Sequence, residues 1–205
     1  MMQKKEQLNY ESYVAKQVEK TSDPIVIESL KDESEIRFQR FKDYFETCGL
    51  LGLLPPASGS SILCLGARLG TEVRALRELG YARAIGVDLY PLSDLVEFGD
   101  FHNLHHDDDS FDGVYSNSLD HCYELKKVLL EAERVLKPNG VMVLNIGVKT
   151  GMGEYETIMI ESPDEVIEHL SNCEVLSSTR KSFKLYKHGG LNFELILRKK
   201  HEELS

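Results

Sequence analysis

The chain has 205 residues, of which 41% are hydrophobic and 28% charged, and 34 acidic side chains outnumber 24 basic ones for a formal net charge of −10. That length and composition suit one α/β-sized domain with a full core, and exclude a low-complexity or fibrous chain. The acidic balance argues against DNA, RNA and anionic membranes as partners, because a phosphate grip needs basic patches and the one cluster, Arg198, Lys199 and Lys200, reads as a solvated strand end.

Residues 2–20 are charged and helix-prone, with Leu8, Tyr10, Val14 and Val18 as a thin apolar stripe. Thr21, Ser22, Asp23 and Pro24 break it. Residues 33–48 form a second helix whose apolar side is Ile36, Phe38, Phe41, Tyr44 and Phe45. Pro55-Pro56 and Ser58-Gly59-Ser60 then mark a change of organisation, so the chain divides into an N-terminal helical extension or cap, 1–60, and a domain at 61–205.

From Ser61 short apolar runs alternate with helical stretches. Strands are expected at 61–66, 83–88, 95–99, 111–116, 140–148, 173–180 and 191–198, and helices at 70–79, 122–136 and 163–170. Ser162-Pro163-Asp164-Glu165 supplies a cap, a proline for the first helical position and acids for the helix dipole. "LKPNG" at 136–140 ends a helix. Alternation of this kind gives a mostly parallel sheet with helices on its faces. The link from 88 to 95 is too short for a full helix, and the turn-like "LYKHGG" joins the last two strands as an antiparallel hairpin.

Cys48, Cys64, Cys122 and Cys173 are widely spaced and contain no CxxC, so each reads as a small buried hydrophobe. The start "MMQKKEQLNYESYV" has no apolar signal region and no run reaches membrane-spanning length, which suits a cytoplasmic protein.

Three stretches point to a ligand. In "SILCLGARLGTEV", 61–73, a strand runs into a turn flanked by Gly66 and Gly70. The dinucleotide fingerprint G-x-G-x-x-G fails, because Arg68 stands where bare backbone would approach a pyrophosphate. About twenty residues on, "AIGVDLY" ends a strand at Asp88, where an acid accepts from both hydroxyls of a ribose. In "FGDFH", Asp100 and Phe101 offer a carboxylate for an adenine amino group and a ring for its face, or else an N-cap and a core Phe.

The ordered set "ILCLGARLGTE", "GVDLYP", "GDFHNL", "DDDSFDGVYSNSLDH" and "EAERVLKPNGVMVLNI" resembles the class I S-adenosylmethionine-dependent methyltransferases, most closely over 61–148. The resemblance implies a Rossmann-like, doubly wound, seven-stranded, mostly parallel sheet with an antiparallel last strand, plus N-terminal helices. It implies S-adenosylmethionine as cofactor and a small-molecule methyl acceptor. It places the methionine part along 64–70, with Gly66, Ala67, Arg68 and Gly70. The ribose lies at Asp88, the adenine near Leu89, Asp100 and Phe101, and the sulphonium near Asn117. S-adenosylmethionine has no phosphate, which accounts for Arg68.

Cys64 stands where this family commonly has an acid that helps to hold the cofactor ammonium. The Gly66 carbonyl or Glu72 at the following helix start is the replacement acceptor, and Arg68 reaches the cofactor carboxylate or points to solvent. Asn117, Asp120 and His121 follow the fourth strand at the functional edge of the sheet. His121, and after it Asp120, is the candidate proton acceptor, the alternative being a cap at the start of the next helix. The cluster His102, His105, His106 with Asp107, Asp108 and Asp109 suggests a metal, yet contiguous acids rarely converge on one ion, and no metal site is assigned. Tyr10, Tyr13, Lys16 and Gln17 share one side of the first helix and either line an acceptor pocket or pack. A binding protein of the same fold that transfers no methyl group is the alternative to an enzyme, and the failed fingerprint disfavours a nicotinamide oxidoreductase.

Overall fold

A computed structural model describes residues 3–4, 9–48, 50–148, 155–181 and 191–201. Along the chain these form β1 (Gln3–Lys4), α1 (Tyr10–Ser22), α2 (Pro24–Asp32), α3 (Ser34–Thr47), α4 (Leu50–Leu53), β2 (Ser61–Leu65), α5 (Thr71–Glu78), β3 (Arg83–Asp88) and β4 (Val96–Phe98). There follow β5 (Phe111–Ser116), a 3₁₀ turn at Leu119–His121, α6 (Leu125–Val135), β6 (Leu136–Val148), β7 (Ile158–Met159), α7 (Asp164–Ile167), β8 (Cys173–Lys181) and β9 (Leu191–Lys199).

Seven strands form one sheet in the order β4-β3-β2-β5-β6-β9-β8. The first five run parallel, and β9 is antiparallel to both of its neighbours, β6 and β8. The expected mostly parallel sheet with an antiparallel last strand is therefore present. Residues 89–95 carry no helix, as their length dictates. The "LYKHGG" turn and Leu8 lie outside the described residues.

Strand alternation feeds two cores, one on each face. Leu63 and Leu65 of β2 join Val114, Met142, Leu144, Leu195 and Leu197 beneath α6. Ile62 and Cys64 face the other way, into a core with Val73 and Leu76 of α5 and Phe38, Phe41, Tyr44 and Phe45 of α3. Each such large apolar side chain contributes about 1.5–3 kcal/mol by leaving water, so α3 is welded to the sheet. All four cysteines are buried, as small hydrophobes would be.

Three local expectations are corrected. Asp23 and Pro24 do not only break a helix. The Asp23 carboxylate accepts from Ile25 N at 2.8 Å and Pro24 takes the first helical position, so the same pair starts α2, a helix the apolar pattern did not show. "LKPNG" is not a loop after α6. Leu136 already pairs with Phe111, and the ladder resumes at Val141 opposite Gly113, with residues 137–140 looped out. Pro138 lacks an N–H for the ladder, and Asn139 tolerates its φ of +64°. The helix expected over 163–170 is only Asp164–Ile167, without a side-chain cap from Ser162.

Candidate active site

The site sits beyond the carboxyl ends of β2, β3 and β5, where open α/β sheets bind ligands. Gly66 follows β2 with φ +71°, and a Cβ there would stand 2.8 Å from that of Ser118, so only glycine lets the loop pass the end of β5. The N–H groups of Gly66 and Ala67 both donate to Val87 O, at 2.9 and 3.2 Å. Arg68 adopts φ +47°, an unusual conformation for a long side chain. Its own N–H donates to Asp88 Oδ2 at 3.0 Å, while Tyr90 N–H donates to Oδ1 at 2.9 Å. A carboxylate has about four lone-pair positions, so Asp88 is oriented by these two bonds and retains acceptor capacity. Burial pushes its carboxyl above the usual range, against the pull of these N–H groups, Arg68 and Lys20.

Two cavities meet at this loop. The smaller, about 50 Å³, is bounded by Gly66, Arg68, Asp88, Leu89 and Phe101, with Tyr13, Gln17 and Thr21 of α1 as its roof. The larger, about 280 Å³, is bounded by Ala67, Arg68, Glu72, Asn117, Asp120 and His121, together with Arg37 of α3 and Glu156. Gly66, Arg68, Ser118 and His121 border both. The expected residues are thus brought together, apart from Gly70 and Asp100, which border neither. Gly70 instead starts α5 in the left-handed region, φ +74°.

Asp100 is committed elsewhere. Its Oδ1 accepts from His102 N–H at 2.8 Å and meets His102 Nδ1 at 2.7 Å, and Tyr10 Oη donates to Oδ2. Burial opposes its charge, yet these bonds hold its carboxyl below the usual range. His102 Nε2 accepts from Tyr123 N–H at 2.9 Å. The histidine–aspartate cluster is therefore dispersed. His102 is interior, His105 and His106 meet Glu97 at 3.0 and 3.3 Å, Asp108 pairs with Arg134, and Asp109 with Lys199. Glu97, His105 and His106 keep ligand atoms within 4.8 Å of one another at an exposed edge.

Glu72 is fully enclosed and its carboxyl is pushed up to about 7, chiefly by burial. Cys64 lies close enough for the Glu72 charge to raise its thiol further, after burial. Cys64 of β2 and Glu72 in the first turn of α5 thus share one neighbourhood. Glu72 is bonded by Thr71 Oγ1 at 3.3 Å, a hydroxyl, so an enclosed acid borders the cavity with no cation bonded to it among the described residues. That arrangement fits an ammonium, and Arg68, half-buried and bordering both cavities, fits a carboxylate.

Sequence reasoning missed Lys20, Arg37, Tyr155 and Glu156. Lys20 continues the spacing Tyr10, Tyr13, Gln17 along one face of α1, a signal that was available. Glu156 lies 35 positions from His121 and had none. Asp120, His121 and Glu156 bring one ligand atom each within 4.8 Å of one another. Lys20 Nζ sits 3.4 Å from His121 Nε2, so a cation of the chain itself already occupies that cluster.

The methyltransferase-domain family matches residues 63–144. No curated protein matches the chain. Among solved structures, the Burkholderia thailandensis 1,6-didemethyltoxoflavin-N1-methyltransferase, with bound 1,6-didemethyltoxoflavin and S-adenosylhomocysteine, superposes with a TM-score of 0.67 at 19% identity, covering 96% of this chain and 93% of its own. A Methanosarcina mazei S-adenosylmethionine-dependent methyltransferase gives 0.63 at 18%, over 74% of this chain and 96% of its own. A chain from the complex of the Haloferax volcanii Trm112 methyltransferase activator with a methyltransferase gives 0.61 at 20%, over 86% and 100%. At these identities the superpositions establish the fold. The methyltransferase-domain match spans the loop, Asp88 and the β5 end, and the chain is similar in fold to S-adenosylmethionine-dependent methyltransferases.

Proposed function

We propose that the protein is an S-adenosylmethionine-dependent methyltransferase acting on a small-molecule acceptor. The observation that carries this reading is the division of charge between the two cavities. The smaller holds one oriented carboxylate, Asp88, beside Val87, Leu89 and Phe101, as a nucleoside needs, and shares Arg68 and His121 with the larger. The larger adds an enclosed acid, Glu72, to the half-buried Arg68, as the zwitterionic end of an amino acid needs.

In this reading Asp88 takes the ribose hydroxyls, and Leu89 and Phe101 cover the adenine. Ala67 and the Gly66 carbonyl border the methionine end, Glu72 accepts from the ammonium and Arg68 donates to the carboxylate. Asp100 holds α1 down through Tyr10 rather than meeting the adenine. Bound S-adenosylmethionine supplies an activated sulphonium methyl group. The protein's part is alignment of acceptor and methyl, which contributes roughly 7–11 kcal/mol at best, and removal of a proton where the acceptor carries one. Asn117, Asp120 and His121 face that end of the larger cavity, and His121 is the proton acceptor. Residues 1–60 serve as extension and cap, α3 and α4 within the core and α1 over the cofactor end. Among the described residues no helix is long and apolar enough to cross a membrane.

The non-catalytic reading keeps Asp88 and Glu72 but gives His121 no task. Incubation with methyl-labelled S-adenosylmethionine and a metabolite extract separates the two. Label in a low-molecular-weight product, lost in His121→Asn or Asp88→Ala, supports the enzyme. Cofactor binding without any labelled product supports the silent protein.

A further inference from the structure

His121 has a defined protonation state, and the residue that defines it comes from the opposite end of the chain. Its Nδ1 lies 3.2 Å from the carbonyl oxygen of Tyr155. A carbonyl only accepts, so Nδ1 carries the hydrogen. Lys20 Nζ lies 3.4 Å from Nε2 and 3.5 Å from Nδ1. An ammonium only donates, and Nδ1 has given its hydrogen to Tyr155, so the ring lone pair left to meet Lys20 is that of Nε2. The neutral imidazole with its hydrogen on Nδ1 satisfies both neighbours, and His121 borders both cavities.

We propose that Lys20 is a positioning residue that keeps His121 neutral and in this tautomer, so that α1 completes the proton-accepting centre of the sheet domain. The consequence for catalysis rests on the methyltransferase reading. The state of His121 in the free protein does not.

The charges around the ring decide the sign. Asp120, on the same turn, has Oδ1 4.0 Å from Nε2 and favours an imidazolium. Glu156, from the segment before β7, acts in the same sense. Lys20, from α1, opposes both at shorter range, and burial of the ring opposes them further. Arg68, from the loop after β2, faces Lys20 rather than the ring. The net direction for His121 is downward, with burial first among its causes. Lys20 is itself depressed to about 8, mainly by burial, so it yields Nε2 to an incoming acceptor more readily than an exposed lysine would. It stays in place through the face of the Tyr155 ring, 5.1 Å from its Nζ, and through Gln17, whose Nε2 donates to Tyr155 O at 3.0 Å. In the reaction the acceptor's proton passes to Nε2 as its oxygen or nitrogen bonds the methyl carbon and sulphur keeps the electron pair of the broken bond.

The test is an NMR pH titration of the full-length protein without cofactor, the His121 signal being identified by its loss in His121→Asn. Lys20→Met is expected to raise the His121 midpoint by about one unit or more, and Lys20→Arg to leave it low. Glu156→Gln is expected to lower it, which tests the same balance from the other side if Lys20→Met folds poorly. In methyl transfer, the acidic limb of the pH profile moves up with the midpoint in Lys20→Met. An unmoved or lowered midpoint in folded Lys20→Met, or an unmoved midpoint in Glu156→Gln, overturns the proposal. If the midpoints move as expected and no methyl transfer is found with any acceptor, the methyltransferase reading fails while the role of Lys20 stands.

Discussion

The two cavities differ in kind, although four residues border both. The smaller, beneath α1, has Asp88 as its one carboxylate, beside Val87, Leu89, Phe101 and Tyr13 and the neutral polar Gln17 and Thr21. The larger, beside α3, brings together Arg37, Arg68, Glu72, Asp120, His121 and Glu156. A nucleoside is held by shape and a few oriented acceptors, whereas an amino-acid group and a reacting centre need charges of both signs held out of bulk water. Loop 66–70 is the wall between these two environments, and this explains its unusual composition. Glycine stands at Gly66, where the Ser118 side chain leaves no room for a Cβ, and a cation at Arg68, which borders both cavities.

The largest effect is expected from forcing a second acid into the charged side. Cys64 has no exposed surface and sits in the α3–α5 core next to Glu72. Cys64→Asp buries an unpaired carboxylate beside another acid. Urea unfolding should show a loss of roughly 3–5 kcal/mol, enough to threaten folding. A stable Cys64→Asp protein would mean that the strand end is wetter than the packing indicates.

Glu72 sharpens the comparison through pH. Its folded carboxyl, near 7, lies above the ordinary 4.5, so the folded protein binds more protons than the unfolded chain between those values. Stability is therefore expected to fall as pH rises from 4.5 to 7, and Glu72→Gln should flatten that fall, gaining on the order of 3 kcal/mol above pH 7. Binding should move the opposite way. Affinity for S-adenosylmethionine weakens as pH drops below 7, because the ammonium needs the ionised acid, and Glu72→Gln loses both affinity and this pH dependence. Thermal unfolding and calorimetry across pH measure the two trends. A variant that gains stability and keeps its affinity would remove Glu72 from the site.

Arg68 gives a smaller, selective effect. A partly shielded charged bond to the cofactor carboxylate is worth about 1–3 kcal/mol. Arg68→Ala should accordingly weaken S-adenosylmethionine more than adenosine, which has no carboxylate. Equal losses would mean that Arg68 acts through its backbone, by donating to Asp88, and only shapes the loop.

The nucleoside side of the molecule was the more legible in sequence. Gly66, Asp88 and Phe101 fall within about 35 residues, each at the end of a strand with clear apolar alternation, and parallel pairing then aligns those ends. The charged side draws on distant segments. Lys20 meets His121 across 101 positions, Tyr10 meets Asp100 across 90, and Glu156 has no local pattern to mark it. Sequence proximity placed Asp100 at the adenine because it follows the third strand of the domain. The helix that claims its carboxylate lies at the other end of the chain. α2 escaped notice for another reason. Ile25 is 76% exposed and Leu30 alone of the helix is buried, so its apolar spacing carries little signal, and its start is marked only by Asp23 and Pro24.

The central claim is that the smaller cavity takes an adenosyl group through Asp88. It is tested most directly by calorimetric titration of S-adenosylhomocysteine, with NAD in parallel, into the wild-type protein and Asp88→Ala. Two charge-assisted bonds to the ribose, each worth roughly 1.5–3 kcal/mol at most, predict S-adenosylhomocysteine binding that falls about tenfold to a hundredfold or more in Asp88→Ala, and no comparable binding of NAD. Unchanged affinity for S-adenosylhomocysteine in a folded Asp88→Ala protein, or tighter binding of NAD by the wild type, would contradict it.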